Sequence, residues 1–89
     1  MFYEEIFDEG NKRLDERFDE YFAVNPDSTE TEDELVDEVA EDAYENDGFT
    51  RMGRLTPEEM YCLLYMFHDL ETANNYLEEI EYFEVQAVA

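Results

Sequence analysis

The chain has 89 residues, enough for one domain, and 27 Asp and Glu against 5 Lys and Arg give it a formal net charge of −22 at pH 7. Seven Phe and seven Tyr can supply a core, so composition disfavours a wholly disordered chain. The negative field disfavours nucleic acid and anionic membranes as direct ligands and favours cationic partners. We expect a folded acidic domain.

The expected compartment follows from three features. The first residues, MFYEEIFDE, are acidic and lack the basic and apolar regions of a signal peptide. No apolar run approaches the ~20 residues of a membrane span. The single cysteine, Cys62, excludes an internal disulfide and fits a reducing environment. Together they predict a soluble cytoplasmic protein.

Residues 2–24 have apolar side chains at spacings of three, four and seven, which predicts an amphipathic helix. Gly10 and Asn11 interrupt this pattern, so we expect a short first turn and a main helix from about Asn11. An i,i+4 ion pair such as Glu9–Arg13 adds ~0.2–0.5 kcal/mol. The predicted inner face consists of Tyr3, Phe7, Leu14, Phe18, Tyr21 and Phe22.

Residues 25–31, with Asn-Pro and Asp-Ser-Thr, predict a loop. Thr31 and Glu34 then form the pattern of a capping box, which begins a second helix. The helix should end near Asn46, where Asn-Asp-Gly follows. The predicted inner face is Leu35, Val36, Val39, Ala40, Ala43 and Tyr44.

Residues 47–55 predict a linker that includes the chain's only stretch of net positive charge. A capping box of Thr56 and Glu59, with Pro57 at the first helical position, then begins the most apolar helix. Its residues 60–67 are apolar all round, which indicates a buried helix or one with two partners. His68 and Asp69 should end it.

A last helix, capped by Asp69 or Thr72, should bury Ala73, Tyr76, Leu77, Ile80 and Phe83, and residues 85–89 should form a frayed tail. The predicted fold is all-α, a compact bundle of three to four helices around the central apolar helix. That helix has three apolar residues more than one small core requires. Either a homodimer seam or burial on three sides explains Tyr61, Tyr65 and Met66.

Residues 53–59 resemble the second half of an EF-hand loop. Gly53, Leu55 and Glu59 match the family's central glycine, apolar residue and final glutamate. The family's earlier ligand positions fall on residues 48, 50 and 52, which bear no carboxylate, and a capped helix start explains the same residues. We therefore expect no metal site and no cofactor.

Enzymatic activity is also not expected. Cys62 and His68 lie six positions apart, which places them ~120° apart around one helix. A buried cysteine commonly acts as a small hydrophobe, and a histidine at a helix C-terminus favours the helix dipole. No carboxylate pair stands out, and there is no glycine-rich phosphate loop.

The acidic pattern itself is the strongest signal. Residues 25–47 hold eleven acids and no base, and the predicted second helix carries eight carboxylates along ~20 Å, about one per 2.5 Å. That spacing lies between the phosphate spacings of single strands, ~3.4 Å, and of duplex DNA, ~1.7 Å. A solvated face is the simpler interpretation. A rigid acidic helix can also imitate a phosphate lattice and pair with arginines.

In size, charge, aromatic content and helical build, the chain resembles the small acidic DNA mimics of phages and plasmids, the anti-restriction and anti-CRISPR inhibitors. The resemblance implies blockade of the DNA- or RNA-binding site of a basic protein, such as a CRISPR effector or restriction enzyme, without chemistry. If phage-encoded, the chain would act in the cytoplasm of a bacterial host.

The expected contact residues are the acids of the three outer helices. An acidic chaperone or adaptor for basic, histone-like proteins, or a halophile domain of unrelated function, remains as an alternative. Joint charge reversal of four acids, at positions 37, 38, 41 and 42, is the test that the sequence suggests. The contact residues are Asp33, Glu34, Asp37, Glu38, Glu41, Asp42, Glu45, Asp15, Glu16, Asp19, Glu20, Glu78, Glu79 and Glu81.

Overall fold

The computed structural model describes residues 1–83, so the predicted tail, residues 85–89, lies outside the described part. The third helix packs against the other three, which confirms the all-α bundle around a central apolar helix. Within residues 1–83, no helix combines the length and apolar character needed to cross a membrane. The elements are α1 (Glu4–Val24), α2 (Glu32–Glu45), β1 (Phe49–Thr50), β2 (Gly53–Arg54), α3 (Pro57–Phe67) and α4 (Leu70–Glu79).

The central helix α3 is buried along its first part only. Met60, Tyr61, Cys62, Leu63 and Leu64 are all buried in the core with residues of α1, α2 and α4. The predicted burial of residues 60–67 is wrong at the last turn, where all three side chains are exposed. Tyr61 is therefore core and contributes nothing to a surface seam.

Helix α1 is continuous, so the predicted break at Gly10 and Asn11 is wrong. Gly10 is buried where α1 crosses α3. A Cβ atom there would overlap the carbonyl oxygen of Glu58 and lie 2.6 Å from its carbonyl carbon and 3.1 Å from the Cβ of Cys62. The glycine thus permits a close approach of two helix backbones, whereas its low helix propensity suggested a break.

The helix starts follow the predicted caps. Thr31 accepts a hydrogen bond from the N–H of Glu34 at 3.2 Å, which is one half of the predicted box. Thr56 and Glu59 form both halves, at 3.3 and 2.9 Å. Of the two predicted caps of α4, Asp69 is the one observed, because its carboxylate accepts a hydrogen bond from the N–H of Thr72. Hydrogen bonding with Thr72 lowers the pKa of this carboxylate.

Within the predicted linker, residues 49–54 form a β-hairpin, which was not predicted from the sequence. Phe49 pairs with Arg54 and Thr50 with Gly53 in antiparallel register. Gly53 adopts a φ of 94°, a left-handed conformation that favours glycine at the turn. The Arg54 guanidinium lies 5.0 Å from the centre of the Phe49 ring. Strands of two residues carry no periodic signal in the sequence.

Two residues predicted to face inward are exposed. Tyr44 stacks on His68 at the surface, with ring centroids 4.3 Å apart. Phe83 lies beyond α4, which ends at Glu79, and Glu81 there adopts a φ of 54°. The helical register that would have buried Phe83 is therefore lost before the chain reaches it.

Candidate partner-binding surface

The predicted contact residues on α2 lie on three sides of the helix. Its inner face is anchored by Leu35, Val39 and Ala43, which are buried. Opposite this face, a stripe of exposed glutamates points to solvent; we call it the outward stripe. The other predicted acids of α2 lie on its two flanks, one next to the hairpin and one next to α1. The outward stripe consists of Glu34, Glu41 and Glu45.

The hairpin flank is partly neutralised by Arg51, whose one positive charge faces three carboxylates. Its guanidinium lies 2.7 Å from a carboxylate oxygen of Glu38 and 3.2 Å from one of Glu30. Asp42 follows at 4.0 Å and is half-buried. Burial opposes the charged form of Arg51, but the attraction of these carboxylates outweighs it and raises its pKa. The expectation of an uncompensated acidic helix is therefore wrong on this flank.

Sequence reasoning missed this contact because it depends on the hairpin folding back against α2. The only available signal was the net positive charge of residues 49–55 within an acidic chain. Reversing the charges of Glu38 and Asp42, as the sequence suggested, would now place lysines against Arg51. Such a variant would disrupt structure as well as surface charge, so these two positions are unsuitable for a test.

The predicted contact acids on α1 lie on two different sides. Glu16 and Glu20 line a cleft together with Lys12, Arg13 and Arg17, where the charges are mixed. Asp15 lies on the side that faces α2, and Asp19 is exposed. Only the Asp15 side of α1 can therefore extend the acidic surface of α2.

The predicted contact acids after α3 form a separate group. Glu78, Glu79 and Glu81 are all exposed. Glu79 lines a cleft beside Tyr44 and Asp47, away from the residues of α1 that face α2. The structure thus does not join these three acids to the Asp15 side of the molecule.

Between α1 and α2 lies an open groove of about 480 Å³, which we call the α1–α2 groove. Leu14, Phe18 and Leu63 form its buried floor, whereas Met66 and Phe67 at the last turn of α3 are 54 % and 38 % exposed. Glu32 lies on its acidic rim and was not among the predicted contact residues. The groove is lined by Asn11, Leu14, Asp15, Phe18, Glu32, Asp33, Val36, Asp37, Leu63, Met66 and Phe67.

All four arginines make contacts within the chain. Arg17 pairs with the buried Glu59, and Arg13 pairs with Glu9 at 2.8 Å, as predicted for the i,i+4 spacing. Arg51 holds the hairpin flank, and Arg54 covers the Phe49 ring. Within the described residues, none of the four arginines lines the outward stripe or the rim of the α1–α2 groove.

The candidate residues for catalysis and for metal binding lie apart from one another. Cys62 is fully buried, with its Sγ 3.7 Å from the Sδ of Met66, whereas His68 stacks on Tyr44 at the surface. Glu59, the final glutamate of the EF-hand resemblance, is buried against Arg17 and caps α3. Residues 1–83 contain no group of three or more His, Cys, Asp or Glu arranged to hold a metal ion.

Cys62 should be almost unreactive in the native state. Burial, with help from Asp15 and Asp8, raises the pKa of its thiol to about 12, against 9.0 for the free group. At about pH 8 this leaves roughly a thousandfold less thiolate, the reactive species. Because the folded pKa is the higher one, this thiol costs stability only as pH rises from 9 towards 12.

We expect a disulfide reagent to modify native Cys62 at least ~100-fold more slowly than the urea-unfolded chain. The measurement is the rate of thionitrobenzoate release at about pH 8, with Cys62→Ser as the blank. Equal rates in the two states would show that the thiol is accessible in the native fold.

Comparisons of the chain with protein-family models, curated proteins and solved structures returned no match.

Proposed function

We propose that the chain is a nucleic-acid mimic that inhibits a basic nucleic-acid-binding protein by occupying its DNA- or RNA-binding site. The observation that carries this proposal is the distribution of free carboxylates along α2. Arg51 engages Glu38 and Asp42, and within residues 1–83 the other six of the eight carboxylates of α2 have no cationic partner. These six are Glu32, Asp33, Glu34, Asp37, Glu41 and Glu45.

Their spacing supports mimicry of a nucleic-acid strand. The 14 residues of α2 span ~21 Å, and eight carboxylates less the one positive charge of Arg51 leave seven net charges, one per ~3 Å. The phosphates of one DNA strand repeat at ~3.4 Å. The pairing with Arg51 thus brings the free charge density closer to that of a single strand than the eight carboxylates alone would be.

Rigidity also supports the proposal. The inner face of α2 is fully buried at Leu35 and Val39, and Thr31 caps its first turn. A partner therefore meets a helix whose backbone is already ordered, so only the exposed side chains that bear the carboxylates remain to be ordered on binding. Arginines that normally bind phosphates can pair with them bidentately, and the net charge of the chain steers its approach.

The test begins with capture of partners from a bacterial lysate on the immobilised chain, followed by elution in a salt gradient. We expect the captured protein to bind nucleic acid. We also expect duplex DNA and the chain to compete for binding to it. A ternary complex of captured protein, DNA and chain would overturn the proposal. Binding of isolated basic peptides without any competition by DNA would indicate the acidic chaperone instead.

The matched variants carry the quantitative prediction. The stripe variant is Glu34→Gln, Glu41→Gln and Glu45→Gln, and the control variant is Glu16→Gln, Glu20→Gln and Glu78→Gln. Each loses three charges, from −22 to −19. Since charge-assisted hydrogen bonds contribute ~1.5–3 kcal/mol each, we expect the stripe variant to bind its target at least ~30-fold more weakly. The control should lose less than ~3-fold.

Equal losses in both variants would show that only net charge matters and would contradict a specific surface. Melting of the parent chain at low and at molar salt is the accompanying check. A parent chain that unfolds when salt is removed would favour the halophile alternative.

A further inference from the structure

The fold leaves the apolar part of the α1–α2 groove uncovered. Leu14, Phe18 and Leu63 form a buried floor, and Met66 and Phe67 stand exposed beside it. Exposed apolar side chains gathered in a groove mark interaction sites more often than scattered ones do. A phosphate backbone has no apolar side chains that these residues would imitate, so mimicry of nucleic acid does not explain this surface.

The rim of the same groove is acidic. Asp15 contributes from α1, and Glu32, Asp33 and Asp37 contribute from α2. None of the chain's five basic residues lines the groove in the described part of the structure. An occupant must therefore combine apolar side chains, which the floor can bury, with positive charges that reach the rim.

The size of the groove fits a short helical segment. On α1, the lining residues Asn11, Leu14, Asp15 and Phe18 span two helical turns, ~10 Å. The volume of about 480 Å³ is that of a small-molecule cleft, so the groove holds the apolar side chains of such a segment and not the whole helix. Helices that bind in grooves present apolar residues at spacings of three and four along one face.

We propose that the α1–α2 groove binds a basic amphipathic helix of a protein partner, with apolar side chains packed on Met66 and Phe67 and flanking Lys or Arg paired with Asp15, Asp33 and Asp37. A second copy of this chain is a poor occupant, since its surface charge has the same sign as the rim. The inference goes beyond the proposed function and does not rest on it.

The probe is a fluorescein-labelled peptide of about 12 residues with leucines at i, i+3, i+4 and i+7 and Lys or Arg elsewhere. A scrambled peptide of the same composition, without the single apolar face, is its control. Fluorescence anisotropy in ~0.15 M salt measures the affinity of each. We expect the patterned peptide to bind at least ~10-fold more tightly, because only it can bury leucines while its charges reach the rim.

Removal of apolar surface tests the two exposed apolar side chains of the groove. The groove variant, Met66→Gln with Phe67→Gln, keeps the net charge, and its control, Val24→Gln with Tyr44→Gln, changes two exposed apolar residues elsewhere. Burial of a large apolar side chain contributes ~1.5–3 kcal/mol, so we expect the groove variant to weaken binding of the patterned peptide at least ~10-fold. The control should stay within ~2-fold.

Removal of charge tests the rim. The rim pair is Asp33→Asn with Asp37→Asn, and the stripe pair is Glu41→Gln with Glu45→Gln. Both pairs alter α2, and each changes the net charge of the chain from −22 to −20. We expect the rim pair to weaken peptide binding at least ~10-fold and the stripe pair less than ~3-fold. Asp33 and Asp37 also belong to the carboxylates of the proposed mimicry, so the groove variant, which removes no charge, is the change that separates the two inferences.

Two results would overturn the groove proposal. One is an equal effect of the two charge pairs together with full binding by the groove variant, which would show attraction by net charge alone. The other is a concentration-dependent dimer in sedimentation that the groove variant abolishes, which would identify a second copy as the occupant. Thermal melts check that every variant is folded, as expected for changes confined to exposed side chains.

Discussion

Replacing Glu59 by glutamine should lower the free energy of unfolding by about 3 kcal/mol, a large loss for a domain whose total stability is of the order of 5–15 kcal/mol. Glu59 is fully buried, and its carboxylate pairs with the guanidinium of Arg17. Removing one member of a buried ion pair costs ~3–5 kcal/mol, because the other charge is left without its partner. The low end applies here, since the Arg17 side chain is 29 % exposed.

The position of Arg17 explains why the fold depends on this pair. Its two terminal nitrogens donate hydrogen bonds to the carbonyl oxygens of Met52 and Arg54, each at 3.1 Å. One side chain of α1 thus holds the hairpin and the start of α3 together. Glutamine at position 59 can still accept from the N–H of Thr56, so the helix cap survives, but its amide nitrogen then faces Arg17, which loses both the charge and the acceptor of Glu59.

Glu9→Gln is the matched control, since it makes the same chemical change in another Arg–Glu pair. Glu9 and Arg13 lie 2.8 Å apart, but their side chains are 47 % and 46 % exposed. Exposed ion pairs contribute ~0–1 kcal/mol, so this variant should melt close to the parent chain. Urea denaturation followed by circular dichroism measures both losses, and equal losses would contradict a structural role for the buried pair.

Replacing Gly10 by alanine should destabilise the fold by at least ~1–3 kcal/mol, the usual cost of overpacking. The added Cβ would overlap the carbonyl oxygen of Glu58, which belongs to the backbone of α3 and cannot rotate away. Helix propensity alone predicts the opposite, a gain of ~1 kcal/mol. The sign of the change therefore tests whether the two helices cross as closely as the structure shows.

Asn11→Ala provides the control at the neighbouring position. Asn11 is exposed on α1, so alanine there should leave stability unchanged or raise it by up to ~0.7 kcal/mol. The melting temperature should thus fall for Gly10→Ala and stay the same or rise for Asn11→Ala, each compared with the parent chain. A higher melting temperature for Gly10→Ala would mean that α1 and α3 do not make this contact.

The helices and their caps could be predicted because their signals are local. The hydroxyl of Thr56 and the carboxylate of Glu59 bond to backbone groups three residues away, so the capping box is visible in the sequence. The apolar periodicity likewise identified Leu14, Phe18 and Leu35 as core. Gly10 misled the prediction, because a glycine lowers helix propensity whether or not another helix lies against it.

Parts of the candidate surface could not be predicted, since they depend on contacts between distant segments. Arg51 neutralises Glu38 only because a hairpin without periodic signal folds back on α2. The α1–α2 groove exists only because α1 and α2 meet the last part of α3, where Met66 and Phe67 remain exposed. A helical wheel shows which carboxylates share a helix face, but it cannot show which basic residue lies opposite.

The sequence by itself determined the all-α class, the order of the helices, most of the core and the size of the negative charge, because periodicity, caps and composition act over a few residues. Tertiary structure alone decided where that charge is free. Packing of the hairpin on α2 removes Glu38 and Asp42 from the acidic surface, and packing of α1 beside α2 joins Asp15 to Asp33 and Asp37 around an apolar groove.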